Sequence, residues 1–299
     1  MSILTPRAVL VTRQTDLDLL IGRHGTLGQV EFFLRSHDRE MEPLMGQADA
    51  QKRALLTVQR SIPQDWRYIE IDRSDLSRFL FAEGDIVIAI GQDGLIANLA
   101  KYAHGKPVVG VNPAPDQIAG LLAAHRADQL RSLLPRVADG AAAVQHRTMV
   151  EASLSDGQRL LALNEIFVGH RSHQSARYTL THAGSIERQS SSGVIIATGT
   201  GSTGWARSII ELSGARVSID PSDTKLAFFA REPWPSPTTG SSLKYGLIKP
   251  GEALSLTSEM NESGVVFADG IEDDRLAFDR GLSVSIKRAH ETLQLIQPA

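Results

Sequence analysis

Asp85–Ile90 (DIVIAI) is apolar at every position after the first, and it stops abruptly at Gly91-Gln92-Asp93-Gly94. A strand with no polar face is covered on both sides, the condition of a parallel sheet sandwiched by helices. Neighbouring segments repeat the pattern. Ala8–Thr12, Trp66–Ile71 and Pro107–Val111 read as further strands. Leu17–Leu34 (with a break at Gly25), residues 38–60, a turn at Leu76–Phe81, Leu95–Tyr102 and Ile118–Leu134 carry helical spacing between or after them. Such alternation predicts an α/β domain with a parallel sheet over residues 1–140.

Beyond Ala138–Ala143 the pattern changes. Short strands separated by Gly, Ser and Asp turns are expected at Ala142–Ser153, Arg159–Val168, Ala176–His182, Ser185–Gln189 and Val194–Thr198. More follow at Lys225–Ala230, Ala253–Thr257, Val265–Ala268, Leu282–Lys287 and Leu293–Ile296, with one helix at Gly204–Leu212. This spacing predicts a β-sandwich-like domain over 141–284, with residues ~285–299 free to return to the first domain. Composition narrows the function. The 299 residues include no cysteine, which excludes disulfides, thiolate metal sites and a thiol nucleophile. A net charge of −3 without a basic block argues against a nucleic-acid partner. No apolar run approaches the ~18–20 residues of a membrane span, and Met1–Pro6 lacks a leader pattern, so a cytoplasmic location is expected.

Three local patterns point to chemistry. Glycines in the turn after a buried strand let a phosphate approach the backbone and the helix N-terminus, and Asp93 in that turn could take a proton or hold a metal; an ordinary helix cap is the plain alternative. Thr198-Gly199-Thr200-Gly201-Ser202-Thr203-Gly204, between an apolar strand and a helix, has the glycines and hydroxyls of an anion-cradling loop. It lacks the lysine of a Walker A loop, and a polar turn with Thr203 as helix cap is the alternative. Asn164-Glu165 interrupts an apolar strand, which is costly unless the pair is bonded to the backbone or grips ligand hydroxyls. Arg23-His24-Gly25 lies too far beyond the first strand for a phosphatase motif. His170 and His173, at i,i+3 on a strand, point to opposite faces, which argues against a shared metal; Arg171 and Arg177 are better placed to contact phosphate, or simply to sit solvated.

In this order the patterns resemble the NAD kinase family, related to diacylglycerol, sphingosine and 6-phosphofructo kinases. Gly91-Gln92-Asp93-Gly94-Leu95 is similar to its Gly-Gly-Asp-Gly-Thr turn, and Gly110-Val111-Asn112 to its Gly-Ile-Asn stretch. Asn164-Glu165 is similar to its Asn-Glu motif, Thr198–Thr203 to its Thr-Pro-Thr-Gly-Ser-Thr loop, and Ala268-Asp269-Gly270 to its late Asp-Gly. The resemblance implies a Rossmann-like domain followed by a β-sandwich. It also implies phosphoryl transfer from ATP, with Mg²⁺, or from polyphosphate to the adenosine ribose 2′-hydroxyl of NAD(H), in a homo-oligomer. Asp93 would be the general base and Gly91 and Gly94 would admit phosphates. Asn112 would lie near the cleft, and Asn164 and Glu165 would bind adenosine. Ser192, Thr198, Gly201, Ser202, Thr203 and Trp205 would line the dinucleotide site. No metal ligand is assigned, with Asp93 and Glu165 the candidates. Gln92, Leu95, Ser192, Gly199 and Gly204-Trp205 depart from the family pattern, and its histidine is not evident near Ser241-Ser242-Leu243. These departures keep open a kinase for another hydroxyl (lipid or sugar) and a non-catalytic nucleotide binder.

Overall fold

The computed structural model describes residues 5–298; Met1–Leu4, part of the stretch read for a leader, and Ala299 lie outside them. The chain forms two compact units, one of residues up to 145 plus those from 294 onward, the other of residues 146–293.

In the first unit, β1 (Arg7–Thr12), β2 (Arg67–Asp72), β3 (Asp85–Ile90) and β4 (Pro107–Val111) form a parallel sheet in the order β2-β1-β3-β4. Gln294 and Leu295 add a parallel pairing beside Pro107 and Val108. Gly25 ends α1 (Asp16–His24) at φ 90°, and α2 (Leu27–Arg35) follows. The first of these has a capping box, Thr15 with Asp18. One face of the sheet packs on Ala54 and Val58 of α3 (Glu42–Ser61) and on Leu130, Leu134 and Val137 of α5 (Leu130–Ala138). Between them in sequence runs α4 (Asp93–Ala100), with Leu95, Ile96 and Leu99 buried. Asp85, 1% exposed, opens β3 and is matched by Arg7, which donates to both its oxygens at 2.8 and 2.6 Å.

The helix expected over Ile118–Leu134 is corrected: helical structure starts only at Ala127. His125 instead bridges Val111 in parallel, with His125 N donating to Gly110 O at 3.0 Å and Asn112 N to His125 O at 2.9 Å. Backbone presses so closely on β4 there that a Cβ on Gly110 would lie 2.3 Å from Leu122 O.

The second unit has the expected sandwich. One sheet runs β12-β11-β10-β7-β14-β15, formed by Tyr245–Ile248, Leu226–Ala230, Val194–Ala197, Glu165–His170, Gly264–Ala268 and Ile271–Ala277. The facing strands are β5 (Val144–Leu154), β6 (Arg159–Ala162), β8 (Ala176–His182), β9 (Ser185–Ser191), β13 (Leu254–Ser258) and β16 (Ser283–Ile296). Val150, Tyr178, Leu254 and Val284 from one layer meet Ile166, Val194, Phe228 and Val266 from the other in a single core. The helix α6 (Trp205–Ser213) ends at Gly214 in the left-handed region. Two expected strands near the C-terminus are one, β16. The strand expected over Arg159–Val168 is two, broken at Leu163-Asn164, so the Asn–Glu pair marks a strand junction, not a strand interior. Both β12 and β15 are strands the sequence patterning does not announce.

Gly110→Ala should therefore cost about 2 kcal/mol or more, since backbone and not a flexible side chain must move. A urea titration followed by circular dichroism reads this; an unchanged midpoint would refute the close approach.

Candidate active site

In the first unit, a cavity of about 180 Å³ opens where the parallel strands end, lined by Arg13, Gln47, Gln51, Gly91, Gln92 and Ile118 among others. Ligands of open α/β sheets collect at such carboxyl ends. Gln51 Nε2 donates to Ile90 O at 2.6 Å, and Arg13 pairs loosely with Asp16 at 3.7 Å. Gln92, the N-cap of α4, makes no side-chain cap bond, is exposed and is part of the cavity lining. A Cβ on Gly91 would meet Leu95 Cδ2 at 2.9 Å, so the buried Leu95 and Gly91 fit each other. Nothing lies within 4 Å of a Cβ on the exposed Gly94, so no packing inside the unit requires glycine there.

Asp93 does not cap its own helix. Its Oδ1 accepts from Leu122 N at 3.0 Å and Ala123 N at 2.8 Å, and its Oδ2 from Leu121 N at 2.9 Å. A carboxylate offers about four lone pairs. Among the described residues, three are taken by backbone amides and one on Oδ2 is left. Asn112 is likewise committed: its Nδ2 donates to Ile118 O at 2.6 Å and its Oδ1 accepts from Ala114 N at 3.0 Å.

In the second unit, Asp269 does for the strand junction what Asp93 does for residues 121–123. It accepts from Leu163 N at 2.9 Å, Asn164 N at 2.7 Å and Glu165 N at 3.3 Å, from a backbone with φ 51°. The threonine- and glycine-rich loop packs on this junction. Thr198 Oγ1 donates to Leu163 O at 2.5 Å, Thr198 N to Asn164 O at 2.9 Å, and a Cβ on Gly201 would sit 2.2 Å from Asn164 O. Ser202 Oγ lies 2.7 Å from Gly199 O and 2.9 Å from Ile219 O, and Thr203 Oγ1 donates to Thr200 O at 2.9 Å. The cap of α6 is Gly204, not Thr203. Thr198, Ser202 and Thr203 thus spend their protons on backbone carbonyls of the loop and of the segments packed beside it. Thr200, part of the expected loop but not among the residues expected to line the dinucleotide site, keeps a buried hydroxyl with no partner among the described residues.

Glu165 is 8% exposed, and burial first, then the Asp269 charge, pushes its carboxyl up to about 7. Ser192 and Trp205 line one cavity of about 400 Å³ together with Phe167, Arg171 and Arg231. His170 and His173 also line it, His170 at the end of β7 and His173 in the turn beyond, whereas Arg177 lies on β8. Neither Arg231 nor the role of Leu121–Ala123 carried a sequence signal, because each depends on chain segments meeting from afar.

A glycine turn stands at the parallel strand ends of the first unit, and a hydroxyl-rich loop packs on the sandwich of the second. The chain matches an NAD kinase of Chlorobaculum tepidum at 29% identity over 140 residues, 46% of this chain and 47% of that protein. An NAD kinase of Psychrobacter arcticus matches at 32% over 146 residues, 46% of this chain and 42% of that one. The chain thus matches a little under half the length of these curated relatives. Its fold is shared with the crystal structure of an NAD kinase from Archaeoglobus fulgidus in complex with ATP, at TM-score 0.59 and 19% identity, over 97% of this chain and 93% of that one. No family model matches. The resemblance to the NAD kinase family is borne out in sequence and in fold.

The donor chemistry does not make a resident magnesium site. Asp93 is held by amides, Glu165 is buried and drawn toward its neutral form, and no group of three His, Asp or Glu among the described residues is arranged for a metal.

Glu165 also sets a pH dependence. Its folded value of about 7 lies above its ordinary 4.5, so its contribution is complete below pH 4.5 and is lost as pH rises to about 7. The loss is of order 3 kcal/mol. Glu165→Gln should remove that part of the slope, read as denaturation midpoints at pH 5 and 8. An identical slope in the variant would show that Glu165 is not the group.

Proposed function

We propose that the chain is an NAD kinase-like phosphotransferase, moving the γ-phosphoryl group of ATP to the adenosine ribose 2′-hydroxyl of NAD(H). The observation that carries this is the single lone pair left on Asp93 Oδ2, in a glycine turn at the end of a parallel strand. A carboxylate fixed by three amides is pre-aimed, so orientation is not lost when it takes the hydroxyl proton. The hydroxyl oxygen then bonds to phosphorus, the bond to the β–γ bridging oxygen breaks, and ADP leaves. Catalysis of this kind rests mainly on positioning and charge neutralisation. Mg²⁺ belongs to the reading as part of the ATP substrate, carried on its phosphates and not in a protein cage. Gly94, whose lack of a side chain no internal contact demands, is where a phosphate would approach. Gly91 is explained by Leu95.

On the second unit, Thr200 Oγ1 is the group that would bond to the nucleotide, and Asn164 and Glu165 sit where the loop meets the strand junction. The same reading takes the chain as a cytoplasmic homo-oligomer; no helix among the described residues is long and apolar enough to cross a membrane. One observation favours a second reading, a nucleotide binder without turnover: Gln92, which carries a side chain where a glycine would leave room, lines the cavity at the glycine turn.

A coupled ADP-release assay with Mg-ATP and NAD or NADH tests the reaction. Turnover is expected, with a loss of ~10²-fold or more in Asp93→Asn and a retained cooperative melt. Binding of dinucleotide without ADP release would select the second reading, and Gln92→Gly is the variant to test next. Thr200→Val separates fold from binding. Replacing an unbonded buried hydroxyl by a methyl leaves the melt unchanged or raised, while dinucleotide affinity falls about tenfold. Unaltered affinity would remove Thr200 from the site.

A further inference from the structure

The cavity beside Ser192 and Trp205 has aromatic walls and a surplus of positive charge. Phe167 stacks on Trp205 at 6.0 Å with 16° between the rings, and Phe267 lies 4.8 Å from Phe167. The Arg231 guanidinium sits 5.3 Å from the Trp205 ring centre. Its backbone is tied in both directions, Arg231 N donating to Gly193 O and Ser192 N to Arg231 O, each at 2.8 Å. Arg171 and Arg275 line the same cavity, Arg275 Nη1 donating to Glu272 O at 2.9 Å. Among the described residues, Glu272 is the one acidic residue of the lining and none of the three arginines makes an ion pair.

An aromatic wall alone would welcome a cation. Here Arg231 already occupies the face of Trp205, and a second cation would meet uncompensated positive charge. A flat, uncharged ring carried by an anion suits both features. The two redox forms of a nicotinamide dinucleotide differ in this respect: the oxidised ring is a cation, the reduced ring is neutral, and the reduced molecule is the more anionic. We propose, resting on the NAD(H) acceptor reading above, that this cavity selects the reduced dinucleotide, with Arg231 and the uncharged Ser192 as the selecting residues.

The test is calorimetric titration of the full chain with NAD and with NADH, for the parent, Arg231→Met and Ser192→Asp, at low and high salt, beside ADP release with each dinucleotide. NADH should bind about tenfold more tightly than NAD, and salt should narrow the gap. Arg231→Met should bring the ratio close to one, and Ser192→Asp should move it toward NAD, with melts unchanged. Equal affinities, tighter NAD, or a ratio that neither variant alters would overturn the proposal. Selective binding without ADP release would sustain the selectivity and defeat the kinase reading. ADP release at equal efficiency for both forms would do the reverse, and no binding of either form would defeat both.

Discussion

Backbone amides that leave regular structure need acceptors, above all where, as at Leu122, Ala123, Leu163 and Glu165, they belong to buried residues, and in this chain two aspartates supply them. Asp93 takes Leu121, Leu122 and Ala123; Asp269 takes Leu163, Asn164 and Glu165. An unmade hydrogen bond to a buried amide costs roughly 1–3 kcal/mol, so each carboxylate decides whether its segment can be where it is. Without Asp93 nothing among the described residues meets the Leu121–Ala123 amides where they pass the end of β4. Without Asp269 the junction on which the Thr198–Thr203 loop rests would have three unsatisfied donors.

Chemistry follows from the same economy. The side chains that the motifs offered as ligand contacts are mostly occupied in building the site. Thr198, Ser202 and Thr203 hold the loop, Asn112 holds the turn at Ile118, and Gly201 lets the loop touch the Asn164 backbone. What remains free is small and specific: one lone pair on Asp93, the hydroxyl of Thr200, the open approach at Gly94. Fixing polar groups in advance lowers the reorganisation that binding and proton transfer would otherwise require.

Much of the fold was legible. The unbroken apolar run of β3 announces a sheet covered on both faces, and the short turn-separated runs at β8 and β9 announce strands of the second domain. Errors fell where tertiary contact overrides local pattern. Ile118–Leu134 has helical spacing, yet its first part is bent around Asp93, which takes the amides of Leu121–Ala123, and it bridges β4 only at His125. The apolar stretch Arg159–Val168 reads as one strand, yet Asp269, a hundred residues on, gathers the amides at Leu163–Glu165 and splits it. The weakly patterned β12 and β15 form only because β11 and β14 present edges to them.

By itself the sequence determined the two kinds of architecture, the order of the motifs and the absence of thiol chemistry, because burial periodicity, glycine spacing and composition are local. Only the tertiary structure decided which polar groups are spent and which are free. It showed the Thr200 hydroxyl unbonded among the described residues, Glu165 drawn toward its neutral form beside Asp269, and Arg231 laid over Trp205. Hydrogen-bond saturation and charge balance depend on distances between segments far apart in the chain, and no local pattern encodes those distances.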